Sequence, residues 1–383
     1  MTASSATGSS DIFVGLGVRD GVSKNHGGRL ASSEGNRLYA ILRRELRDAG
    51  CFEPVLWRQI GYMIFVVLAF GIGYITLLGD AAMGPRLAAL LLIAAANVHA
   101  GFVAHEIGHG AVTRNRRAAV VTGQFFLTFL TALSYGHFQD IHTRHHAHCN
   151  RHTLDPDMQS SAFSMYLESA IEKRGLGWLV TRYQAVLIWI LVSIQGFTLK
   201  IDSLRFMCRE PRKARVDWLV FPLHAAFWIG LPAAVLGFEV AIVNYLLLTW
   251  ITGPYLGTIF LVNHIGTVVL GPDDDDISFF EQQIITTRNL GDTKIADFMF
   301  GGLNNHIEHH LFPNLPRRGL RRARVITREF CRRHNIAYRE TDWLGAASQV
   351  SRFFGEVTES ALAIRHETRA TIGAAPIQES QKV

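Results

Sequence analysis

Three histidine-rich segments carry the chemistry of this chain: His105-Glu-Ile-Gly-His109, His142-Thr-Arg-His145-His146 and His306-Ile-Glu-His309-His310. On a helix, residues three and four apart share one face. Each of the two longer segments therefore presents three imidazoles one turn apart, and the first presents two. Neutral imidazole is the commonest protein metal ligand and suits iron, zinc, copper and nickel. Eight ligands exceed the four of a closed tetrahedral site, so two metal ions fit the count better than one. Histidine-rich storage tracts are short and contiguous, whereas these segments are dispersed through the chain, which points to a folded site.

Other residues belong with them by position. Asp140, Asp155 and Asp157 flank the second segment, and carboxylates there can orient ligand imidazoles by accepting the other ring N–H. His264, after Asn263 at the end of an apolar run, is a candidate ninth ligand. Asn263 and Glu308 complete the set expected just behind the ligands. His137, His148 and His152 are surplus to the repeat and are expected outside the ligand set. His99, beside Asn97 within an apolar run, is expected to make a structural hydrogen bond. Cys51, Cys149, Cys208 and Cys331 form no CxxC pair and read as free thiols, Cys149 as an incidental neighbour of the metals.

The elements that must position these residues are membrane helices. Of 383 residues, 49% are hydrophobic and 18% charged, with a mean hydropathy of +0.16; soluble domains carry roughly 25% charged residues. The composition implies an all-α integral membrane protein. The net charge of +6 comes with no nucleic-acid motif, and the Arg and Lys residues cluster between apolar runs, as the positive-inside rule expects of cytoplasmic loops. Ile60 to Leu78, Leu87 to Ala104, Leu219 to Leu236 and Val240 to Val262 have about the length of spans, giving four. Arg114, Arg116 and Arg117 mark the end of the second span as cytoplasmic. Val120 to Leu133 and Tyr183 to Leu199 are expected to be interfacial or re-entrant, because crossing would separate the first and second histidine segments in one case and contradict basic flanks on both sides in the other. Leu38 to Arg47 reads as an amphipathic interfacial helix. Residues 1–35 read as a disordered segment, 36–345 as one membrane domain with a cytosolic histidine cap, and 346–383 as a polar tail. Asp273 to Asp276 reads as a solvated loop, and the basic stretch Arg317 to Arg333 suits lipid headgroups or an acidic partner.

HEIGHG at 105–110, HTRHHAHCN at 142–150 followed by Asp155-Pro156-Asp157, and NNHIEHHLFP at 304–313 resemble the three histidine boxes of the membrane fatty acid desaturases. QQIITTRN at 282–289 resembles a C-terminal signature of acyl-lipid and front-end members, and the likeness runs from about Ile60 to Asn335. The resemblance implies two irons held by His105, His109, His142, His145, His146, His306, His309 and His310, a role for His264 as the additional histidine many members carry, and four membrane helices beneath a cytosolic cap. His306 stands where front-end members commonly have Gln.

The chemistry agrees with that likeness. An aliphatic C–H bond resists acid–base attack, so its oxidation needs a strong oxidant, which non-haem iron with O2 supplies. The protein contributes ligand geometry and a dry cavity. Two hydrogen abstractions from adjacent carbons give a double bond; oxygen rebound after the first gives an alcohol. The expectation is an O2-dependent acyl desaturase acting on an acyl lipid, acyl-CoA or acyl-carrier protein, with a hydroxylase, ketolase or acetylenase of the same architecture as the alternative. A non-enzymatic metal-binding or transport protein would need an ion path of polar residues in the spans, and only Asn97, His99, His224 and Asn244 offer one. No nucleotide-binding fingerprint is present, so electrons come from a separate protein, which the resemblance implies is a ferredoxin or cytochrome b5 with its reductase.

Overall fold

The computed structural model describes Leu30 and residues 32–373, except Asp80, Ala81, Ser161, Pro272, Asp273 and Asp275. Most of the segment 1–35 therefore lies outside the described residues, as do two members of the acidic run; Asp274 is buried and accepts a hydrogen bond from the Gly271 amide at 2.7 Å. Among the described residues the chain is helical, with two isolated β-bridges.

Helix α1 (Ser32–Asp48) starts inside the stretch assigned to disorder. Leu38, Leu42 and Leu46 recur every fourth residue, and that stripe is covered by Phe280, Ile284, Leu311 and Phe330. The helix is amphipathic as expected, but protein covers its apolar face. α2 (Leu56–Leu78) and α3 (Met83–Gly108) pack as a hairpin, and α3 runs directly into the first histidine segment. α4 (Arg116–Gly123) begins where the Asn115 side chain accepts the Arg117 and Ala118 amides at 3.0 and 3.2 Å, and continues as a π-helical turn, Gln124–Phe129. Together these fall short of the roughly 20 residues a span needs.

α5 (Tyr135–His148) carries the second segment. Ser134 caps it, accepting the His137 amide at 3.0 Å, and the fully buried Asp217 accepts the Tyr135 amide at 2.8 Å and the Thr128 hydroxyl at 3.0 Å. These bonds satisfy donors a helix start otherwise leaves orphaned. Next come α6 (Leu167–Glu172), α7 (Gly175–Leu191) and α8 (Gln195–Arg209), followed by the antiparallel pair α9 (Asp217–Leu236) and α10 (Phe238–His264). Small residues let the α7–α8 junction lie on α10: a Cβ at Gly253 would fall 2.2 Å from the Ser193 carbonyl oxygen, a separation no side chain tolerates.

Among the described residues five helical stretches are long and apolar enough to cross a membrane: Leu56–Leu78, Met83–Gly108, Gly175–Arg209, Asp217–Leu236 and Phe238–His264. Four extend the expected spans by a few residues. The fifth contains the run that basic flanks assign to the interface. Ile64, Leu68 and Ile72 on α2, Leu219 and Leu223 on α9, and Val243, Leu246 and Trp250 on α10 are exposed, forming the apolar surface that lipid covers.

The remaining helices are α11 (Phe279–Ile285), α12 (Lys294–Met299), α13 (His306–Leu311), α14 (Arg317–Arg333) and α15 (Trp343–Gly373). α15 occupies most of the stretch read as a polar tail. Val350, Phe353, Phe354, Val357 and Ala361 form a helical stripe buried against Met158, Ile188 and Ile265. Average polarity hides such a stripe, because only one face of the helix is apolar. Residues 374–383 lie outside the described residues.

Candidate metal centre

The ends of α3, α5 and α10 meet α13 at one place, and all nine candidate histidines gather there. His105, His109, His142, His146 and His309 each offer a ring nitrogen, and these nitrogens lie within 4.8 Å of one another. His145, His264 and His310 form a second group with the Cys149 sulfur. His306 joins this second group, its Nε2 lying 2.7 Å from His264 Nε2.

Nε2 atoms converge within each group. His142 Nε2 lies 2.9 Å from His109 Nε2 and 3.1 Å from His146 Nε2, and His309 Nε2 lies 3.1 Å from His146 Nε2. His145 Nε2 is 3.2 Å from His264 Nε2. Metal–imidazole bonds of about 2.1 Å meeting at right angles put neighbouring donor atoms about 3.0 Å apart, so the spacing is that of ligands sharing a cation. Burial pushes His142, His146, His309 and His310 well below the ordinary histidine range, and the neighbouring imidazoles add to this. Burial likewise takes His109 down to about 4 and His306 to about 3. These rings are neutral, with lone pairs available to a metal.

The outer nitrogens show which lone pair faces inward. His310 Nδ1 donates to Gln283 Oε1 at 2.9 Å, and its Nε2 is buried without a hydrogen-bond partner. His264 Nδ1 donates to the Thr286 carbonyl at 3.2 Å. His145 Nδ1 lies 3.0 Å from both oxygens of the fully buried Asp155 and 3.4 Å from Asp157. Burial opposes a charge on His145, yet Asp157 and Asp155 outweigh it and hold its pKa up at about 9. A buried nitrogen with no partner except the centre of the cluster, and rings anchored from behind, fit a pair of divalent cations.

The residues expected behind the ligands divide. Asp155 and Asp157 face His145. Asp140 turns away, pairing with Lys213 at 2.8 Å and Arg144 at 3.1 Å. Asn263 donates its side-chain amide to the Ile259 carbonyl, one turn back on α10, at 3.0 Å. Glu308 accepts from Tyr338 at 2.7 Å and Asn289 at 2.9 Å, pinning α13 from outside. Cys149 Sγ sits 3.5 Å from His264 Nδ1, within the second group. Burial holds its thiol well above the usual range, so it stays protonated. His99 is hydrogen-bonded by Tyr62 and Tyr255, in the structural role expected of it.

One strut went unrecognised beyond its likeness to a signature. Along Gln282–Asn289, Gln282 donates to the Cys149 carbonyl at 3.1 Å, and Gln283 donates to the His146 carbonyl at 3.1 Å while accepting from His310. Thr286 accepts from His264, the Arg288 amide donates to the Asn263 carbonyl at 3.2 Å, and the Asn289 carboxamide oxygen accepts the Ile307 amide at 2.9 Å. Gln283 thus ties the second histidine segment to the third. Replacing it with Leu is expected to weaken metal retention by about 10–100-fold, the usual cost of losing a group behind a ligand. Metal-to-protein ratios after dialysis against a graded chelator read this out, and unchanged retention would remove Gln283 from the role.

The sequence profile of the family described as fatty acid desaturase matches residues 81–342. The Delta(8)-fatty-acid desaturase 1 of Arabidopsis thaliana is 28% identical over 88% of this chain and 76% of its own length. The Delta(6)-fatty-acid desaturase fat-3 of Caenorhabditis elegans is 26% identical over 79% and 70%, and the Delta(5) fatty acid desaturase fat-4 of the same organism is 25% identical over 82% and 72%.

Proposed function

Because the chain belongs to the fatty acid desaturase family, we propose that it converts an acyl chain's CH2–CH2 into CH=CH with two irons at the histidine cluster, consuming one O2, two electrons and two protons and releasing two waters. The observation that carries this is the convergence of nine buried imidazoles at the mouth of apolar helices. His105, His109, His142, His146 and His309 would hold one iron, and His145, His264, His306 and His310 the other. Irons bound there supply, with O2, the oxidising power that an unactivated C–H bond demands. The chain's own part is positional. Asp155, Thr286 and Gln283 aim three rings, and apolar walls from α3 and α10 exclude water and align the acyl chain. The sequence carries no nucleotide-binding fingerprint, which supports electrons arriving from a separate protein, and the family likeness implies a ferredoxin- or cytochrome b5-type donor. The relatives' names, Delta(5), Delta(6) and Delta(8), support a double bond near the head end of the acyl chain.

Gas chromatography with mass spectrometry of lipids from expressing cells, derivatised to locate double bonds, tests the proposal. A new alkene at a fixed distance from the carboxyl carbon is expected. A hydroxylated product with no alkene would transfer the chain to an oxygenating activity of the same architecture.

We further propose four crossings, with the histidines on the cytoplasmic face. His145 in α5 and His264 at the end of α10 have ring nitrogens 3.2 Å apart, so an even number of crossings lies between them. With α9 and α10 as a hairpin, Gly175–Arg209 then enters and leaves on one side. Cys208 is exposed at its end. A membrane-impermeant maleimide is expected to label Cys208 only after permeabilisation; labelling in intact cells would favour five spans. The domain limits follow: a membrane domain over 36–345, with α15 docked on it.

A further inference from the structure

Five of the eight arginines along α14 meet a carboxylate within 3.0 Å. Arg321 meets Asp297 at 3.0 Å, Arg324 meets Glu340 at 2.7 Å, Arg328 meets Glu340 at 2.6 Å, Arg332 meets Glu329 at 2.7 Å and Arg333 meets Glu45 at 2.6 Å. Arg318 and Arg322 face solvent. Arg317 is only 19% exposed, and its Nε and Nη2 are buried without a hydrogen-bond partner. The nearest carboxylate, Glu106, stands 3.9 Å away and has its oxygens engaged elsewhere: Oε1 accepts the Arg317 backbone amide at 2.8 Å and Oε2 accepts the Gln59 side chain. The guanidinium carbon lies 3.9 Å from the centre of the Tyr62 ring, a contact that restrains the side chain.

Arg317 lines a pocket whose lining also includes Phe102, Glu106, Leu320 and, from the first ligand group, His105 and His309. A planar guanidinium with two free donors matches a carboxylate or phosphate in bidentate fashion. An acyl substrate is apolar except at its head, and an enzyme acting a few carbons from that head must hold it close to its metal ligands. From this placement we infer that Arg317 binds the oxyanion at the head end of the acyl substrate, lying within a few atoms of the first acyl carbon. Two sources carry such an oxyanion: the phosphodiester of a glycerophospholipid and the carboxylate of a free fatty acid. The phosphates of acyl-CoA sit at the far end of a long arm and do not meet the distance. The inference rests on the head-end position proposed above and makes Arg317 the origin from which double-bond position is counted.

The test uses the purified full chain in detergent, as wild type, Arg317→Gln, Arg317→Lys and the exposed control Arg318→Gln. Equilibrium binding is measured with radiolabelled linoleoyl phosphatidylcholine, linoleic acid, linoleoyl-CoA and dilinoleoyl monogalactosylglycerol, the last lacking any oxyanion. KM, kcat, double-bond position and metal content follow on the same samples. Arg317→Gln is expected to weaken binding of an oxyanion-bearing probe by about 10–100-fold, the size of a charge-assisted pair. KM should rise accordingly and kcat change little, while metal content and galactolipid binding stay unchanged. Lys, which keeps the charge and loses the fork, should restore part of the affinity, and Arg318→Gln should behave as wild type. Loss confined to phosphatidylcholine identifies the phosphodiester, and loss confined to linoleic acid identifies the carboxylate. Equal affinities in Arg317→Gln and wild type, an equal loss for the galactolipid, an Arg317-dependent preference for linoleoyl-CoA, or loss of metal in Arg317→Gln overturns the site. Arg317-dependent binding without any alkene product from wild type would instead sink the proposed reaction and leave the site standing.

Discussion

Replacing His309 with Ala is expected to abolish double-bond formation, lowering turnover at least about a thousandfold, beyond the 10–100-fold typical of residues that act through a ligand. His309 Nε2 lies 3.1 Å from His146 Nε2, and its ring centroid lies 4.6 Å from that of His105. It is 2% exposed, so no outside group can take its place. The helix that carries it should survive the change, because α13 is fastened by Glu308 to Asn289 and Tyr338 and by the Ile307 amide to Asn289. The variant should therefore keep wild-type elution and thermal stability within about 1–2 kcal/mol while its metal content falls. A folded His309→Ala protein that keeps full metal content and a tenth of the wild-type rate would show that the first group is not the reacting centre.

The second large effect belongs to Asp155. This carboxylate accepts from His145 Nδ1, from the Asn150 amide at 2.7 Å and from the Asp157 amide at 2.9 Å, with no exposed surface. Asp155→Ala strands three donors, two of them buried, and releases the His145 ring, so a loss of about 3–5 kcal/mol of stability is expected from breaking the buried pair. Metal affinity at the second group should fall about 10–100-fold. Asp155→Asn keeps an acceptor and should recover much of the stability but less of the metal affinity, since it removes the charge that favours a cation nearby. Chelator titration and thermal unfolding of the three proteins check both expectations, and wild-type metal retention in Asp155→Ala would refute the role.

The same carboxylates set a pH dependence. The folded-state pKa of His145 is raised from 6.5 to about 9, so in metal-free protein the stabilising proton is fully present below about pH 6.5 and is lost as the pH rises through 9. Metal must displace that proton, so affinity at the second group should climb by about tenfold per pH unit between pH 7 and 9 and then level. Asp155→Ala should flatten this slope.

How much of this was legible in the residues depends on the range of the interaction. The i, i+3, i+4 spacing of His142, His145 and His146 is local geometry, and it put three rings on one helix face before any fold was known. The spans were legible for the same reason: bilayer thickness fixes a length, and an uncharged run of that length shows it. The apolar stripe of α15 is also local, yet averaging over its polar face concealed it. What spacing alone left open is which imidazoles share a metal. Adjacent residues on one helix part company here, His146 joining the group with His105 and His109 while His145 joins His264, because each ring follows its own direction from the helix axis to partners supplied by α3, α10 and α13. Asp140 and Asp155 looked equivalent beside the second segment, but only the turn after α5 brings Asp155 back under His145, while α8 and the loop beyond it deliver Lys213 to Asp140. Gln283 and Arg317 drew no attention as individual residues, since their meaning lies in contacts with residues far away in the chain. The sequence by itself determined the candidate ligand types, their expected number and the membrane setting, all of which rest on local spacing and composition. The tertiary structure alone decided how these histidines divide into two groups, which carboxylate stands behind one of them, and which guanidinium lies beside them with its Nε and Nη2 lacking hydrogen-bond partners, because each depends on where distant segments end in three dimensions.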